Sequence, residues 1–278
     1  MHFDWHFTAI QVLWTLTFAA QLILIVVLLG RDRARIFPWF TATIVAMALR
    51  LLCGRELFQR VPQLTLTTVL IVFSDVVAIL GVLVIVELAR KAFIGARRSQ
   101  LVINLVGLLL VTASILWMWG PWPSWQTLTA DSQVATLRIL QLIAQKTELL
   151  VDLLNIELGL MIVIFGRYYK APWKSHTQRI AIGLSTASIG GLTVQIVWQI
   201  VAKTAAPHSQ AELSKVLELR DRLFNATGAL YVAVLVWWIV VLWINEPSSV
   251  AAAPPSDPDV PAEAEAPAEP TLDEPAEN

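Results

Sequence analysis

The chain has 278 residues, of which 56% are hydrophobic and 15% are charged, and its formal net charge is −1. Soluble domains carry nearer a quarter of charged residues. This composition, with a mean hydropathy of +0.65, therefore excludes an ordinary soluble domain and predicts an all-α fold, that of a polytopic membrane protein. The charge is unevenly placed, with 9 acidic and no basic residues from Glu246 onward against 20 basic and 12 acidic residues before it. A basic membrane body with an acidic tail implies no nucleic-acid partner.

Apolar runs of about membrane-spanning length recur along the chain and predict a bundle of seven transmembrane helices. Pro38 suits the first turn of the second helix. Glu87, near the end of the third, is interpreted as part of a solvated pair with Arg90 or Lys91. The fourth helix is short for a crossing. The predicted helices cover about 7–29, 37–58, 64–88, 101–119, 132–169, 178–203 and 209–245.

The distribution of Lys and Arg predicts the orientation of this bundle. The loops after the first, third and fifth helices, counted with three residues of helix on either side, contain three, four and four basic residues, whereas the N-terminal segment contains none. Cytoplasmic loops are enriched in Lys and Arg. We therefore predict a multi-pass protein of the bacterial inner (plasma) membrane, with its N-terminus outside and its C-terminus inside.

The C-terminal segment, 247–278, is rich in Pro, Ala and Glu and contains 8 of the 14 prolines. Such a segment cannot bury enough apolar area to offset the entropy of ordering its chain. We predict a disordered, acidic, cytoplasmic tail. A solvating spacer is favoured over a docking motif, because composition alone is a weak signal of a partner.

The fifth helix carries a polar stripe on an apolar body, the reverse of the usual amphipathic pattern. Its members recur every three or four residues and so share one helix face; they are Arg138, Gln141, Gln145, Glu148, Asp152 and Asn155. The seventh helix repeats the pattern with Lys215, Glu218, Arg222 and Asn225. Both helices are too long for one crossing. We expect their outer parts to pair above the membrane and open a polar cavity just below its surface.

Charged side chains within membrane helices are costly and usually face the bundle interior, where they find partners. We expect Arg50 and Asp75 to lie near the midplane and to pair. Glu157, two residues off the polar stripe, is expected to face another helix. The predicted site is a polar cavity in the outer half of the bundle, and the candidate ligand-binding residues are Arg50, Arg55, Glu56, Asp75, Glu148, Asp152, Asn155, Arg222 and Asn225. The alternative is a structural network of ion pairs that fixes helix register.

Three functions fit such a cavity, and the first is favoured. A non-enzymatic sensor, receptor or accessory subunit would bind a small polar ligand on the outer side and signal to a membrane or cytoplasmic protein partner. The alternative is a small-solute or ion/proton-coupled transporter, although no internal repeat is visible. A membrane-embedded enzyme comes last. The chain has no phosphate-binding loop, nucleophile elbow or HExxH, so we predict no catalytic residue and no metal site.

Seven helices with the N-terminus outside resemble the microbial rhodopsins, in topology alone. A retinal protein would need a lysine deep in its last helix, and residues 225–245 contain none. Retinal is therefore argued against, and no other cofactor is predicted. A single cysteine, Cys53, excludes an internal disulfide.

Overall fold

The described part of the chain is almost entirely helical. A computed structural model describes residues 9–58, 60–93, 98–119, 122, 133–165, 175–205 and 209–245. Over these residues the structure is 92% helical and has no strand, which confirms the all-α prediction for them. The predicted tail, 247–278, lies outside the described residues. The described helices are α1 (Ala9–Gly30), α2 (Arg33–Ile36), α3 (Pro38–Leu57), α4 (Gln63–Ala92), α5 (Arg98–Met118), α6 (Gln133–Phe165), α7 (His176–Thr204) and α8 (Gln210–Trp243).

Four of these helices are long and apolar enough to cross a membrane, which indicates a membrane protein. They are α1, α4, α7 and the part of α8 from Glu212 to Trp243. A shorter apolar stretch, Leu105–Met118, lies in α5. Helices α3 and α6 are not among the four, since charged residues interrupt their apolar runs. The structure supports four of the seven predicted crossings by length and composition, and it adds the four-residue helix α2.

The helix starts follow ordinary capping chemistry. Pro38 occupies the first position of α3, where its missing N–H costs no hydrogen bond. Ser175 and Ser209 precede α7 and α8, and their hydroxyls accept hydrogen bonds from the backbone N–H groups of Gln178 (3.3 Å) and Glu212 (3.2 Å). Each serine satisfies a backbone donor that a helix leaves free at its N-terminus.

Six of the long helices pack in a closed ring. Along this ring α1 packs on α3, α3 on α4, α4 on α6, α6 on α7, α7 on α8, and α8 returns to α1. Helix α5 lies outside the ring against α6. The expected pairing of the two projecting polar helices is wrong, because α7 separates α6 from α8 in the described structure. Neighbours in a ring depend on tertiary packing, which the spacing of residues along one helix does not encode.

The apolar core occupies one end of the ring. We call this the packed end: it is where α1, α4, α6 and α8 finish and α3 and α7 begin. Trp238 meets the ring of Phe40 edge-on, with 5.1 Å between centroids, and both side chains are almost fully buried. The surrounding core includes Leu28, Leu88, Ile162, Ile180 and Leu242. The opposite end, which we call the open end, contains the cavities described below.

Glu87 joins α4 to the start of α3 at the packed end. Its side chain accepts a hydrogen bond from the backbone N–H of Phe40 (3.3 Å) and forms an ion pair with Lys91 (3.4 Å). Lys91 also donates to the carbonyl of Ile36. The expected pair with Lys91 is therefore present, but Glu87 is only 8% exposed, so the interpretation of this pair as solvated is wrong. A carboxylate at a helix N-terminus satisfies a free donor and complements the helix dipole.

Candidate functional site

A wide cavity lies at the open end between α1, α3, α4 and α8. We call it the vestibule, and its volume is about 1200 Å³. Arg50, Arg55 and Arg60 contribute three guanidinium groups to its lining, and Glu56 contributes one carboxylate. The charged groups that line the vestibule therefore carry a net positive charge, which attracts anionic groups.

A smaller cavity of about 260 Å³, which we call the chamber, lies deeper in the ring. Helices α3, α4, α6, α7 and α8 all contribute to its lining, and Phe40 and Trp238 of the packed end form its floor. Arg50, Met47 and Tyr231 line both the chamber and the vestibule. These three side chains therefore stand where the two cavities meet.

At the boundary between the two cavities, hydrogen bonds connect side chains of α1, α8 and α3. The side-chain amide of Gln21 donates to the Tyr231 hydroxyl (3.4 Å), and that hydroxyl donates to the Met47 sulfur (3.1 Å). Gln21 is 1% exposed, and within the described ranges its amide oxygen has no hydrogen-bond partner. Since a buried polar atom is normally satisfied, this oxygen is an acceptor available to a bound molecule.

The polar stripe of α6 descends from the surface into the chamber. Arg138, Gln141, Gln145 and Glu148 are exposed, Asp152 is half-buried, and Asn155 is buried at 7%. The last three line the chamber. Glu148 is both exposed and part of the lining, so it lies at the chamber rim. The shared helix face that the spacing predicts thus delivers two carboxylates and one amide to a single cavity.

Close contacts between α6 and α7 hold these groups in place. The Asn155 amide donates to the Ser188 hydroxyl (3.1 Å), and the Ser185 hydroxyl donates to the Asn155 carbonyl (2.6 Å). The Ser188 hydroxyl also hydrogen-bonds to the Asp152 carboxylate. A side chain at Gly159 would overlap Ser185, so the glycine permits this approach. Small residues commonly allow such close helix packing in membrane proteins.

Arg50 faces the chamber from α3, and α4 lies between α3 and α6 along the ring. Within the described structure the Arg50 guanidinium makes no hydrogen bond or ion pair, and the Glu148 carboxylate makes no ion pair. The charges of α3 and α6 therefore share one cavity without contacting each other.

The expected Arg50–Asp75 ion pair does not form. The chamber-lining residues of α4 are Ser74, Val77, Ala78, Gly81 and Val84, which follow the helical repeat. Asp75 lies one position away, about 100° around the helix. It therefore lines neither cavity, and one of its carboxylate oxygens is buried without a partner in the described part of the chain.

Arg55 and Glu56 line the vestibule but not the chamber. The Arg55 guanidinium lies over the ring of Trp14, 5.4 Å from its centroid. Glu56 pairs with Arg60 at 3.3 Å, and both side chains are more than half exposed. These two candidates belong to the cavity mouth.

Arg222 and Asn225 line neither cavity. Arg222 pairs with Glu218 at 2.6 Å on the exposed surface of α8. Tyr231, which does line the cavities, is nine residues further on, and nine steps of about 100° put it on the opposite side of the helix. Three members of the polar pattern of α8, Lys215, Glu218 and Arg222, are exposed, and Asn225 is half-buried outside both cavities.

The two cavities have lining residues that the sequence argument does not single out. Tyr231 and Trp238, which line the chamber, are amphipathic side chains in an apolar run, where they are ordinary. Gln21, which lines the vestibule, is a lone polar residue in α1. Glu157 meets the prediction that it faces another helix, since it accepts a hydrogen bond from Thr112 of α5. The sequence signal that could have identified Gln21 as a cavity residue is its position as an isolated polar residue within an apolar run.

Taken together, the fold and cavities define a helical bundle of membrane character with a mostly apolar chamber, closed at one end, whose lining includes Arg50, Asp152 and Asn155. Among the described side chains, no group of three or more His, Cys, Asp or Glu could hold a metal ion. Comparison of the chain with protein-family models, curated proteins and solved structures gives no match. Any function must therefore be argued from the chamber itself.

Proposed function

We propose that the protein is a multi-pass receptor or accessory subunit that binds a small polar ligand in the chamber. One observation carries this proposal: Arg50 and the carboxylates of Glu148 and Asp152 line the same cavity, and no ion pair joins them in the described structure. An unpaired charge in an apolar bundle is expensive. In a purely structural network, the groups would be expected to lie in direct contact. A ligand that enters between them supplies the missing partners.

The packed end favours a receptor over a transporter. The chamber borders the vestibule, and its floor is the buried Phe40–Trp238 contact. A transporter must open its site to both sides in turn, and here the side chains below the site belong to the main apolar core. Transport remains the alternative, and uptake into vesicles distinguishes it from binding alone.

We further propose that seven helices cross the bacterial inner membrane, with the N-terminus outside. The exposed faces of the charged helices support this: Leu49 and Leu52 of α3 and Leu160 and Ile164 of α6 are exposed apolar residues. Both helices thus present apolar side chains outward and charges inward, as a lipid environment requires. The basic loops then lie inside, where a separate protein partner would read the ligand state.

Thiol labelling tests this orientation. In a Cys53→Ser background the chain has no cysteine, so one can be introduced at Lys215, near the open end, or at Ser249, in the tail. In intact cells with a permeable outer membrane, a membrane-impermeant maleimide is expected to label Lys215→Cys alone. Ser249→Cys should react only after the inner membrane is opened. The reverse pattern would contradict the proposed orientation.

Native mass spectrometry of protein extracted from its own membrane tests the binding site. A retained small molecule is expected on the unaltered protein, and Arg50→Ala and Asp152→Asn should each lower its occupancy. Losing a charge-assisted hydrogen bond costs about 1.5–3 kcal/mol, or roughly 10- to 100-fold in affinity. Arg222→Ala is the matched control, because that arginine lies outside the cavities. The Arg50→Ala and Asp152→Asn proteins should be obtained in normal yield while their ligand occupancy falls. If Arg50→Ala instead lowers the protein yield, and neither the unaltered protein nor any variant retains a ligand, the charges are structural.

A further inference from the structure

We propose, on the basis of the ligand-binding function above, that the chamber binds a small zwitterion. Its anionic group would contact Arg50, and its ammonium group would contact Asp152 and Glu148. Two sources share this chemistry: a free amino-acid-like solute, and the ethanolamine headgroup of a phospholipid, which joins a phosphate to an ammonium.

The charges on the chamber wall call for a ligand that carries both signs. Arg50 presents a guanidinium fork, which matches carboxylate and phosphate oxygens. Asp152 and Glu148 present carboxylates, which accept hydrogen bonds from an ammonium group. A ligand with only an anionic group would leave the carboxylates unpaired, and a purely cationic ligand would leave Arg50 unpaired. A zwitterion satisfies both sides.

The size of the chamber limits what can enter. Pockets for drug-sized ligands start at about 300 Å³, and the chamber measures about 260 Å³. Its volume equals that of about nine water molecules at ~30 Å³ each in the liquid. A nucleotide is too large, whereas an amino acid or a phosphoethanolamine group fits.

The chamber floor is apolar. Trp238 is 1% exposed and lines the cavity, and its indole ring packs against Gly183 of α7, where a Cβ atom would overlap the indole nitrogen. With Phe40 it gives the chamber an apolar end, which suits a short hydrocarbon portion of a bound zwitterion.

Three matched probes test the charge requirement directly. Leucine carries both groups, 4-methylpentanoate lacks the ammonium, and 3-methylbutylamine lacks the carboxylate. Binding to the full chain in detergent is measured by competition and by thermal stabilisation, with phosphoethanolamine as the headgroup probe. At least one zwitterion is expected to bind about tenfold or more tightly than either single-charge probe. Arg50→Ala and Asp152→Asn should each remove this preference.

A variant that fills the chamber with a larger side chain keeps the test valid if the variants that remove a charge fold poorly. A Cβ atom at Gly191, which lines the chamber, would meet no atom within 4 Å. Gly191→Leu should therefore fold normally and exclude every probe. Gly107→Leu on α5, also open to solvent or lipid, is the matched control and should bind normally.

The outcomes separate the two proposals. Equal binding of a zwitterion and a single-charge probe would overturn the zwitterion inference and leave the ligand chamber standing. No probe binding, with no molecule retained in native mass spectrometry, would overturn both. Where a molecule is retained, its mass distinguishes the sources: a phosphatidylethanolamine mass assigns the headgroup, and a small mass assigns a free solute.

Discussion

Gly159→Leu is expected to destabilise the bundle more than any other single change considered for this chain. A Cβ atom at Gly159 would stand 2.7 Å from the Ser185 Cβ and would overlap its hydroxyl oxygen. Because Ser185 is buried and bonded to the Asn155 carbonyl, it has no free space to move into. Overpacking a tight contact costs about 1–3 kcal/mol and occasionally more, and the larger leucine should reach ~3 kcal/mol. The measurement is the temperature at which half the detergent-solubilised protein loses its monodisperse elution.

The same contact provides its own control and rescue. Gly107→Leu makes an equal change of side chain where nothing lies within 4 Å, and its effect should be near zero. Gly159→Ala should lose stability through the overlap with Ser185, and adding Ser185→Gly should restore part of it, since the overlapping atoms are gone. Neighbouring residues commonly show such coupling. If the double variant is no more stable than Gly159→Ala, then the α6–α7 contact is not as close as described.

Glu87→Ala is expected to produce the second largest loss. The substitution leaves the Phe40 N–H at the start of α3 without its acceptor and leaves Lys91 without its carboxylate. Breaking a buried pair costs about 3–5 kcal/mol. Because the Lys91 side chain is 30% exposed, solvent screening reduces this, and a loss of ~2 kcal/mol is expected. Thermal unfolding in detergent measures it.

Two control substitutions, one conservative and one in an exposed ion pair, are expected to lose less stability than Glu87→Ala. Glu87→Gln keeps an oxygen for the Phe40 N–H and should retain more stability than Glu87→Ala. Glu56→Ala removes a carboxylate from the exposed Glu56–Arg60 pair, and exposed pairs contribute only about 0–1 kcal/mol. Equal losses for Glu87→Ala and Glu56→Ala would show that the buried position of Glu87 confers no special stability.

The features that the sequence predicts well are those that depend on one helix. The stripe of α6 follows from residue spacing, so Glu148, Asp152 and Asn155 could be placed on one face before any neighbour was known. Arg50 could be placed at a similar level by counting along its helix. Both inferences use only the helical repeat and the cost of charge in an apolar run.

The features that it predicts poorly depend on rotation and on neighbours. Asp75 lies at a plausible level but about 100° away from the lining face of α4, and Arg222 lies on the far side of α8 from Tyr231. No periodic pattern within α4 selects the face that meets the chamber, because this helix is apolar around most of its circumference. In α8 the periodic polar pattern marks a face other than the one that carries Tyr231 and Trp238. The roles of Gln21 and Trp238 likewise require knowing which helices adjoin, and the ring order is a property of the whole bundle.

Because the apolar core is concentrated at the packed end, each long helix is held most firmly there, and a small tilt about that end moves the other end furthest. A helix of about 30 residues is ~45 Å long at ~1.5 Å per residue. A tilt of about 3° about the packed end therefore moves the far end by more than ~2 Å, while the core barely shifts. Under the proposed function, a ligand that draws Arg50 and Asp152 together would close the open end by such a tilt. The proposed partner, on the packed side, would then respond to a change in helix angle rather than to a displacement.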